Sequence, residues 1–292
     1  MFRIAYVNGR YLRAAESAVH IEDRGYQFAD GVYEVAAVVG GVLVDSAPHL
    51  ARLARSLKEL DIAWPVSRRA LGHIIDEVVR RNTIDYGMVY LQITRGVAPR
   101  DHAYPKGIRP ALVVTAKRLV PQRPELVERG VPVITVPDVR WQRCDIKSVS
   151  LLPNVMGKQL AKDAGAYEAW QISADGSVTE GTSTNAWIVD RNGAVLTHPA
   201  DHAILGGITR ESVFRVARAE GIKVIERRFT LKDVFAASEA FLTSTTAAVL
   251  PVVSVDGRKV GTGKPGPVTL RLRERYLAAL DRQVRTAKDR NS

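Results

Sequence analysis

Strand-like and helical patterns alternate along the first 118 residues. Near the N-terminus, apolar stretches flank Asn8-Gly9 and Gly40-Gly41, and both dipeptides predict tight β-hairpin turns. The spacing then becomes helical, with leucines at positions 50, 53, 57 and 60 and a second helix after Ser67, a residue type that caps helices. Strand-like alternation returns at 88–94 and 111–115. We therefore predict a small N-terminal α/β domain over residues 1–118.

A change of composition marks the end of this domain. Residues 119–126, LVPQRPEL, contain two prolines and little periodicity, which favours an interdomain linker. Residues 127–292 then form a larger C-terminal domain. Apolar alternation there predicts strands at 131–136, 167–172, 185–189 and 194–196. Helical periodicity predicts helices at 154–164, 209–220 and 268–288, so the chain is expected to be a two-domain α+β protein.

Length and composition fit this division. A chain of 292 residues can hold two domains, and 46% hydrophobic with 25% charged residues is ordinary for a globular protein. Cys144 is the only cysteine, which excludes an intramolecular disulfide and a thiolate cluster. His198 and His202 are separated by Pro199, so we expect no metal site there. The first residues lack the pattern of a signal peptide, and we expect a cytoplasmic protein.

The charge is strongly positive, because 42 basic residues outnumber 31 acidic ones and give a net charge of +11. Such a surface can attract nucleic acid, other polyanions or small anions. The basic residues are scattered, however, and no nucleic-acid recognition motif accompanies them. A non-catalytic nucleic-acid-binding protein is therefore only a remote alternative, and we expect neither nucleic acid nor a membrane as a partner.

One lysine lies in a segment that suits covalent chemistry. The residues around Lys147, RCDIKS at 143–148, alternate as in a strand. A lone lysine is most often a surface residue. If it is enclosed by apolar neighbours near another cation, its pKa falls and its amine can form a Schiff base with an aldehyde.

A second segment offers a carboxylate beside several hydroxyl groups. Glu180 lies in VTEGTSTN at 178–185, directly before an apolar strand. The simplest interpretation is a polar turn between two strands. Alternatively, a carboxylate held by a hydroxyl-rich turn can face the protonated ring nitrogen of a pyridine cofactor and strengthen that ring as an electron acceptor.

Two further segments have the composition of a phosphate site. Gly206-Gly207-Ile208-Thr209 opens a predicted helix, and Thr243-Ser244-Thr245-Thr246 precedes an apolar stretch. Helix starts offer unpaired N–H groups and a favourable dipole to an anion, although each segment alone is more often only a cap. Together with Arg52, which lies off the leucine stripe of its helix, they would surround a phosphate monoester.

The loop RGVAPRDH at 95–102 offers groups that suit a small carboxylate. Arg100 can make a forked contact and His102 can add a donor, while Tyr33 can supply a phenol. The default interpretation of such loop charges is simple solvation.

Taken together, seven ordered segments resemble the fold-type IV pyridoxal-phosphate enzymes, and within them the D-amino acid aminotransferases. The matching segments are EDRGYQFADGVYEV (22–35), ARLARSL (51–57), QITRGVAPRDH (92–102), RCDIKSVSLL (143–152), VTEGTSTN (178–185), ILGGITR (204–210) and LTSTTAAVLPV (242–252). Branched-chain L-aminotransferases and aminodeoxychorismate lyases share the lysine, glutamate and phosphate segments. The R-G-x-x-P-R-x-H loop is the feature that resembles the D-specific enzymes. Gly206 departs from the familiar pattern, where a lysine is usual.

The resemblance implies a fold and a set of site residues. The fold is a small N-terminal α/β domain with a larger C-terminal β-barrel-like domain that binds pyridoxal 5'-phosphate. Lys147 is the catalytic Schiff-base lysine. The other implied cofactor-binding residues are Glu180 at the pyridine nitrogen, Leu205 against the ring, and Arg52, Ile208, Thr209, Ser244 and Thr245 at the phosphate. The implied substrate-binding residues are Tyr33, Arg100, His102 and Thr246, with Arg100 and His102 reaching across the interface of a homodimer.

The implied reaction is ping-pong transamination. A D-amino acid such as D-alanine or D-glutamate gives its amino group to a 2-oxo acid such as 2-oxoglutarate or pyruvate. A branched-chain L-amino acid or (R)-amine transaminase of the same fold is the alternative. The preferred side chain and the oligomeric state beyond a dimer stay open.

Overall fold

The computed structural model describes residues 3–289 and contains two compact units. The first unit comprises the described residues up to Pro121, Ile146–Ser150, and the described residues from Gln283 onward. The second unit comprises Gln122–Asp145 and Leu151–Arg282. The interdomain linker at residues 119–126 stays a prediction.

The first unit is an antiparallel sheet with three helices, of which the two longer ones pack on the sheet. Its strands are β1 (Ile4–Val7), β2 (Arg10–Arg13), β3 (Gly31–Val39), β4 (Val42–Leu43), β5 (Tyr86–Thr94) and β6 (Ala111–Arg118). Its helices are α1 (Arg24–Phe28), α2 (Ser46–Glu59) and α3 (Arg68–Arg81). The strand order is β2-β1-β6-β5-β3-β4, and both predicted hairpins are confirmed as β1–β2 and β3–β4.

The core of this unit lies between the sheet and the helices α2 and α3. Leu53 and Leu57 from α2 pack in one cluster with Leu71 from α3 and with alternate strand residues such as Val32 and Val38. This agrees with the predicted period of two in the strands and with the leucine stripe of α2. The buried face of β3 also carries a charged residue. Glu34 lies between Val32 and Val38 on this face and is 2% exposed.

The second unit is built on a mixed sheet. Its strands are β7 (Val131–Pro137), β8 (Glu168–Ile172), β9 (Val178–Gly181), β10 (Asn185–Val189), β11 (Val195–Thr197), β12 (Val224–Glu226), β13 (Glu239–Ser244), β14 (Ala248–Val255) and β15 (Arg258–Lys259). Its helices are α4 (Pro124–Arg129), α5 (Leu152–Asp163), α6 (Ile208–Ala219), α7 (Leu231–Ala236) and α8 (Pro267–Asp289), the last of which continues into residues of the first unit.

The strand order of the second unit requires a curled sheet. The order is β12-β11-β10-β13-β14-β7-β8-β9, with β15 beside β14. The edge strand β9 continues through a three-residue turn into β10, which lies near the opposite edge, and Gly181 N donates to Thr184 O across that turn. Because such a short turn cannot cross a flat sheet, the sheet must bend back on itself. The predicted barrel-like architecture follows from this closure.

Two local predictions are corrected. The segment around Lys147 forms no regular strand; only Ser148 makes an isolated bridge, to Val32. The hydroxyl-rich segment is not wholly a turn, because residues 178–181 form β9 and only residues 182–184 turn. Within residues 3–289, no helix combines the length and the apolar character needed to cross a bilayer.

Candidate active site

Backbone contacts on both sides fix Lys147 within the first unit. Its N–H donates to Ser56 Oγ at 3.2 Å, and its carbonyl accepts from Tyr33 N at 3.0 Å. The amine Nζ lies 4.1 Å from the centre of the Tyr33 ring, within cation–π distance. Two of the predicted site residues therefore lie together, with the amine held over an aromatic face.

A buried ion pair fixes Arg52. Its Nε donates to Glu34 Oε1 at 2.7 Å and its Nη2 donates to Oε2 at 2.8 Å, which is the bidentate geometry favoured for this pair. His49 Nδ1 lies 2.8 Å from the same Oε2. Burial alone raises the pKa of Glu34, but Arg52 and His49 outweigh it and lower the pKa to about 2. Glu34 therefore stays ionised and holds the guanidinium in one orientation.

In the second unit, three donors surround the carboxylate of Glu180. Asn185 Nδ2 donates to Oε2 at 3.0 Å, Leu205 N donates to Oε1 at 3.1 Å, and Arg140 Nη1 also donates to Oε1. Asn185 Nδ2 also donates to Leu205 O at 2.9 Å, so the loop that carries Leu205 is held against the same carboxylate. Glu180 is 6% exposed and is presented at the end of β9.

Arg140 is a site residue that the sequence did not indicate. It is buried, and it bonds Asp138 through Nε at 2.9 Å and Nη2 at 2.7 Å in addition to Glu180. Its Nη2 also donates to Ala203 O at 3.0 Å. Burial opposes its charge, but Asp138 and Glu180 raise the pKa of Arg140, so the guanidinium stays charged. Burial opposes ionisation of Asp138 as well, yet Arg140 holds the pKa of this carboxyl below its ordinary value.

The hydroxyl groups of residues 182–184 do not serve Glu180, contrary to the expectation from sequence. Thr182 Oγ1 donates to Glu168 Oε1 at 2.5 Å, and Ser183 Oγ donates to Oε2 at 2.9 Å. Thr184 Oγ1 lies 3.4 Å from the same Oε2. Each hydroxyl has a single proton, so these groups are committed to Glu168, which is fully buried. Glu168 thus shapes the turn between β9 and β10.

The predicted phosphate-binding segments of the second unit flank one strand end. Helix α6 begins at Ile208 after Gly207, and a Cβ at Gly207 would clash with Asn185 Oδ1. Asn185 also pairs with Thr243 of β13, next to Ser244. The residues Thr245 and Thr246 follow in the turn to β14. The first N–H groups of a helix have no partners within the helix, so this corner has the chemistry of an anion site.

The loop between β5 and β6 presents Arg100 and His102 at the surface of the first unit. The Arg100 guanidinium carbon lies 4.6 Å from the centre of the Phe28 ring, and the His102 ring lies 5.5 Å from it. Their predicted companion Tyr33 lies on β3, where its ring approaches Tyr90.

Comparison with known proteins agrees with this geometry. Residues 31–255 match the family profile Amino-transferase class IV. The chain is 47% identical over 263 residues to a D-alanine aminotransferase of Bacillus licheniformis, covering 90% of this chain and 92% of the relative. It is 42% identical over 273 residues to a D-alanine aminotransferase of Listeria monocytogenes serotype 4b (strain F2365), covering 93% of this chain and 94% of the relative.

A solved structure shows the same fold. The T.th. branched-chain amino acid aminotransferase with pyridoxamine 5'-phosphate aligns with a TM-score of 0.88 at 28% identity, covering 96% of this chain and 94% of that chain. The chain belongs to the class IV aminotransferases, which depend on pyridoxal phosphate. The predicted family, fold type and enzyme class are confirmed.

The residues of both units suit this cofactor. The first unit offers a fixed amine at Lys147 for an aldehyde, and a fixed guanidinium at Arg52 for a phosphate. The second unit offers the buried carboxylate of Glu180 for a ring nitrogen and the start of α6 for a phosphate.

The charge on Glu34 predicts a specific pH dependence of stability. The folded-state pKa lies below the ordinary value, so the stabilisation is present above about pH 4.5 and is lost as the pH falls toward about 2. We expect Glu34→Gln to lower the free energy of unfolding by about 3 kcal/mol at neutral pH. The difference from wild type should shrink between these two pH values in thermal unfolding. The exposed Glu125→Gln serves as control, and a pH-independent difference would contradict the prediction.

The contacts of Arg140 with Glu180 and Asp138 predict that replacing this arginine lowers kcat. In Arg140→Met, the buried Glu180 and Asp138 lose their shared cation, and we expect kcat for transamination to fall by roughly tenfold to a hundredfold. The KM for the amino acid should change by less than about threefold, because Arg140 contacts Glu180 rather than substrate. Steady-state kinetics would measure both. Arg143→Met, a change in the same segment, should leave kcat near that of wild type, and an equal loss there would refute the assignment.

Proposed function

We propose that the protein transfers the amino group of a D-amino acid, such as D-alanine or D-glutamate, to a 2-oxo acid such as 2-oxoglutarate or pyruvate. The observation that carries this proposal is the 47% identity to a D-alanine aminotransferase over 90% of the chain. The D-specific loop pattern, R-G-x-x-P-R-x-H at 95–102, supports it independently.

Lys147 carries out the proton transfer. When bound, pyridoxal 5'-phosphate supplies a pyridine ring that accepts the electron pair left at the substrate Cα. Lys147 would hold the cofactor through its aldehyde group, and the substrate amine would displace it. The free amine Nζ is then the base that would take up the substrate Cα proton. Its backbone contacts to Ser56 and Tyr33 support this role, because a base must be held in one position.

Glu180 keeps the ring nitrogen protonated. Its carboxylate would accept the hydrogen bond of that N–H, and Arg140 and Asn185 hold the carboxylate in place. Leu205, whose N–H donates to the same carboxylate, is the residue that would pack against the ring.

The phosphate of the cofactor is bound by Arg52, Ile208, Thr209, Ser244 and Thr245. The start of α6 supports this role, because the first N–H groups of a helix have no partner within the helix and Gly207 offers no side-chain cap. The ion pair with Glu34 supports the role of Arg52, because a guanidinium that is already fixed loses little freedom when it binds an anion.

We assign substrate binding to Tyr33, Arg100, His102 and Thr246, with the first three on the substrate carboxylate. We propose that Arg100 and His102 act across the interface of a homodimer, in a cytoplasmic enzyme. The exposure of both side chains in their own unit supports this arrangement, because they are available to a neighbouring subunit.

A branched-chain L-amino acid aminotransferase is the second candidate. The T.th. structure favours it, since it has the same fold at 28% identity. The identity to the D-alanine aminotransferases is higher, at 47% and 42%, and we therefore prefer the D-specific reaction.

A substrate panel decides between the two candidates. With 2-oxoglutarate as acceptor, we expect D-alanine to react at least about a hundredfold faster than L-leucine or L-alanine, because pinning the carboxylate fixes which Cα–H faces Lys147. Formation of pyruvate would be followed for alanine. Lys147→Ala should lose the yellow colour and roughly a thousandfold or more of the activity, whereas the exposed Lys162→Ala should keep both. An L-leucine rate equal to that of D-alanine would overturn the D-specific proposal.

The proposed role of Arg100 predicts that its replacement weakens substrate binding and leaves cofactor binding unchanged. Arg100→Met should raise the KM for D-alanine about tenfold or more through the loss of charged hydrogen bonds. The affinity for the cofactor, measured by titration of its visible absorbance, should not change. Arg109→Met removes a charge from the same loop and provides the control. Equal losses in substrate and cofactor affinity would place Arg100 elsewhere.

A further inference from the structure

The loop that carries Arg100 and His102 has little regular structure of its own. Residues 95–110 connect β5 to β6 without a helix or ladder strand, and residues 99–107 are exposed. A long exposed loop is ordinarily mobile. Binding a substrate carboxylate with useful affinity requires that the donors be fixed beforehand. Some other part of the chain must therefore hold the tip of this loop.

Arg24 makes the contacts that can do so. Its Nη1 donates to Asp101 O at 2.6 Å, and its Nη2 donates to His102 O at 3.1 Å. These carbonyls belong to the two residues that directly follow Arg100. Arg24 lies on α1 and is 3% exposed, so the guanidinium that donates these charged hydrogen bonds is buried and has little freedom to turn away from the loop.

The ring of Phe28 joins the same arginine to the loop side chains. Phe28 lies one turn after Arg24 on α1, and the Arg24 guanidinium carbon is 4.8 Å from its ring centre. The Arg100 guanidinium carbon is 4.6 Å from the same centre. Cations within about 6 Å of a ring are attracted to it. Arg24 therefore holds the backbone of the loop, and Phe28 holds the side chain of Arg100.

Arg24 does more than neutralise the partly buried carboxylate of Asp30. Its Nε donates to Asp30 Oδ2 at 2.9 Å, but Arg95 Nε donates to the same oxygen at 2.7 Å. Asp30 therefore keeps a cation when Arg24 is changed. The two terminal nitrogens of Arg24 are directed to the loop, so a change at Arg24 acts mainly on the loop.

We infer that Arg24 is a positioning residue that, with Phe28, fixes Arg100 and His102 and thereby sets the affinity for the substrate carboxylate. The inference rests on the proposed function, because it takes Arg100 and His102 as the carboxylate-binding groups. Arg24 itself need not touch the substrate. Its effect appears as substrate affinity and as rigidity of the loop.

Kinetics of two variants test the inference. Lysine at position 24 keeps the charge but cannot reach two carbonyls and Asp30 at once, so Arg24→Lys should raise the KM for D-alanine roughly tenfold and leave kcat within about threefold. Phe28→Leu should give a smaller increase of about threefold. Gln27→Met on the same helix is the matched control and should match wild type.

A double variant and a protease distinguish positioning from a general structural effect. In the Arg100→Met background, Arg24→Lys should raise KM by less than about a further twofold, because both changes disrupt the same interaction with the substrate carboxylate. In the cofactor-loaded enzyme, trypsin should cleave after Arg100 or Lys106 roughly tenfold faster in Arg24→Lys than in wild type.

Two results would overturn the inference. One is wild-type KM and wild-type cleavage in Arg24→Lys. The other is an increase in KM on Arg24→Lys that is as large in the Arg100→Met background as in the wild-type enzyme. If the wild-type enzyme did not act on D-alanine, the proposed function would fail instead, and the cleavage rates would still decide whether Arg24 holds the loop.

Discussion

A carboxylate in the protein interior must have a cation or a full set of hydrogen bonds, and this requirement organises the candidate site. Glu34 is paired with Arg52, Glu180 is held by Arg140 and Asn185, and Glu168 receives the hydroxyls of a turn. Removing water from an ionised carboxyl group is costly, so none of these groups is tolerated alone. Each pairing therefore fixes the direction of a neighbouring side chain or loop as well as its own charge.

The same principle connects fold and chemistry. The alternation of β3 brings Glu34 to the buried face, and the helical spacing of α2 brings His49 and Arg52 to meet it. In the curled sheet, the short turn after β9 brings Glu180 close to Asn185, the first residue of β10, whose side chain donates to the carboxylate. Elements formed for packing thus deliver the polar groups, and the fixed orientation of those groups follows from burial.

Much of the architecture could be predicted, because its signals are local. Asn8-Gly9 and Gly40-Gly41 indicated the hairpins, and the leucine spacing indicated α2, as the structure confirms. Arg140 could not be found in this way, since its partner Glu180 lies 40 positions away and only the topology brings them together. The contact of Arg24 with Asp101 spans 77 positions. The hydroxyls of residues 182–184 suggested the wrong carboxylate because composition does not show which acid a folded turn will face.

The two adjacent glycines before α6 have unequal freedom to vary. A side chain at Gly207 would strike the side-chain oxygen of Asn185 and displace this residue from its contacts with Glu180 and the Leu205 carbonyl, whereas a side chain at Gly206 would meet open space. A long side chain such as lysine would therefore be accommodated at position 206 without rebuilding the strand end. Libraries that diversify this segment can therefore explore position 206 widely, while any larger residue at position 207 would require Asn185 to move away from Glu180.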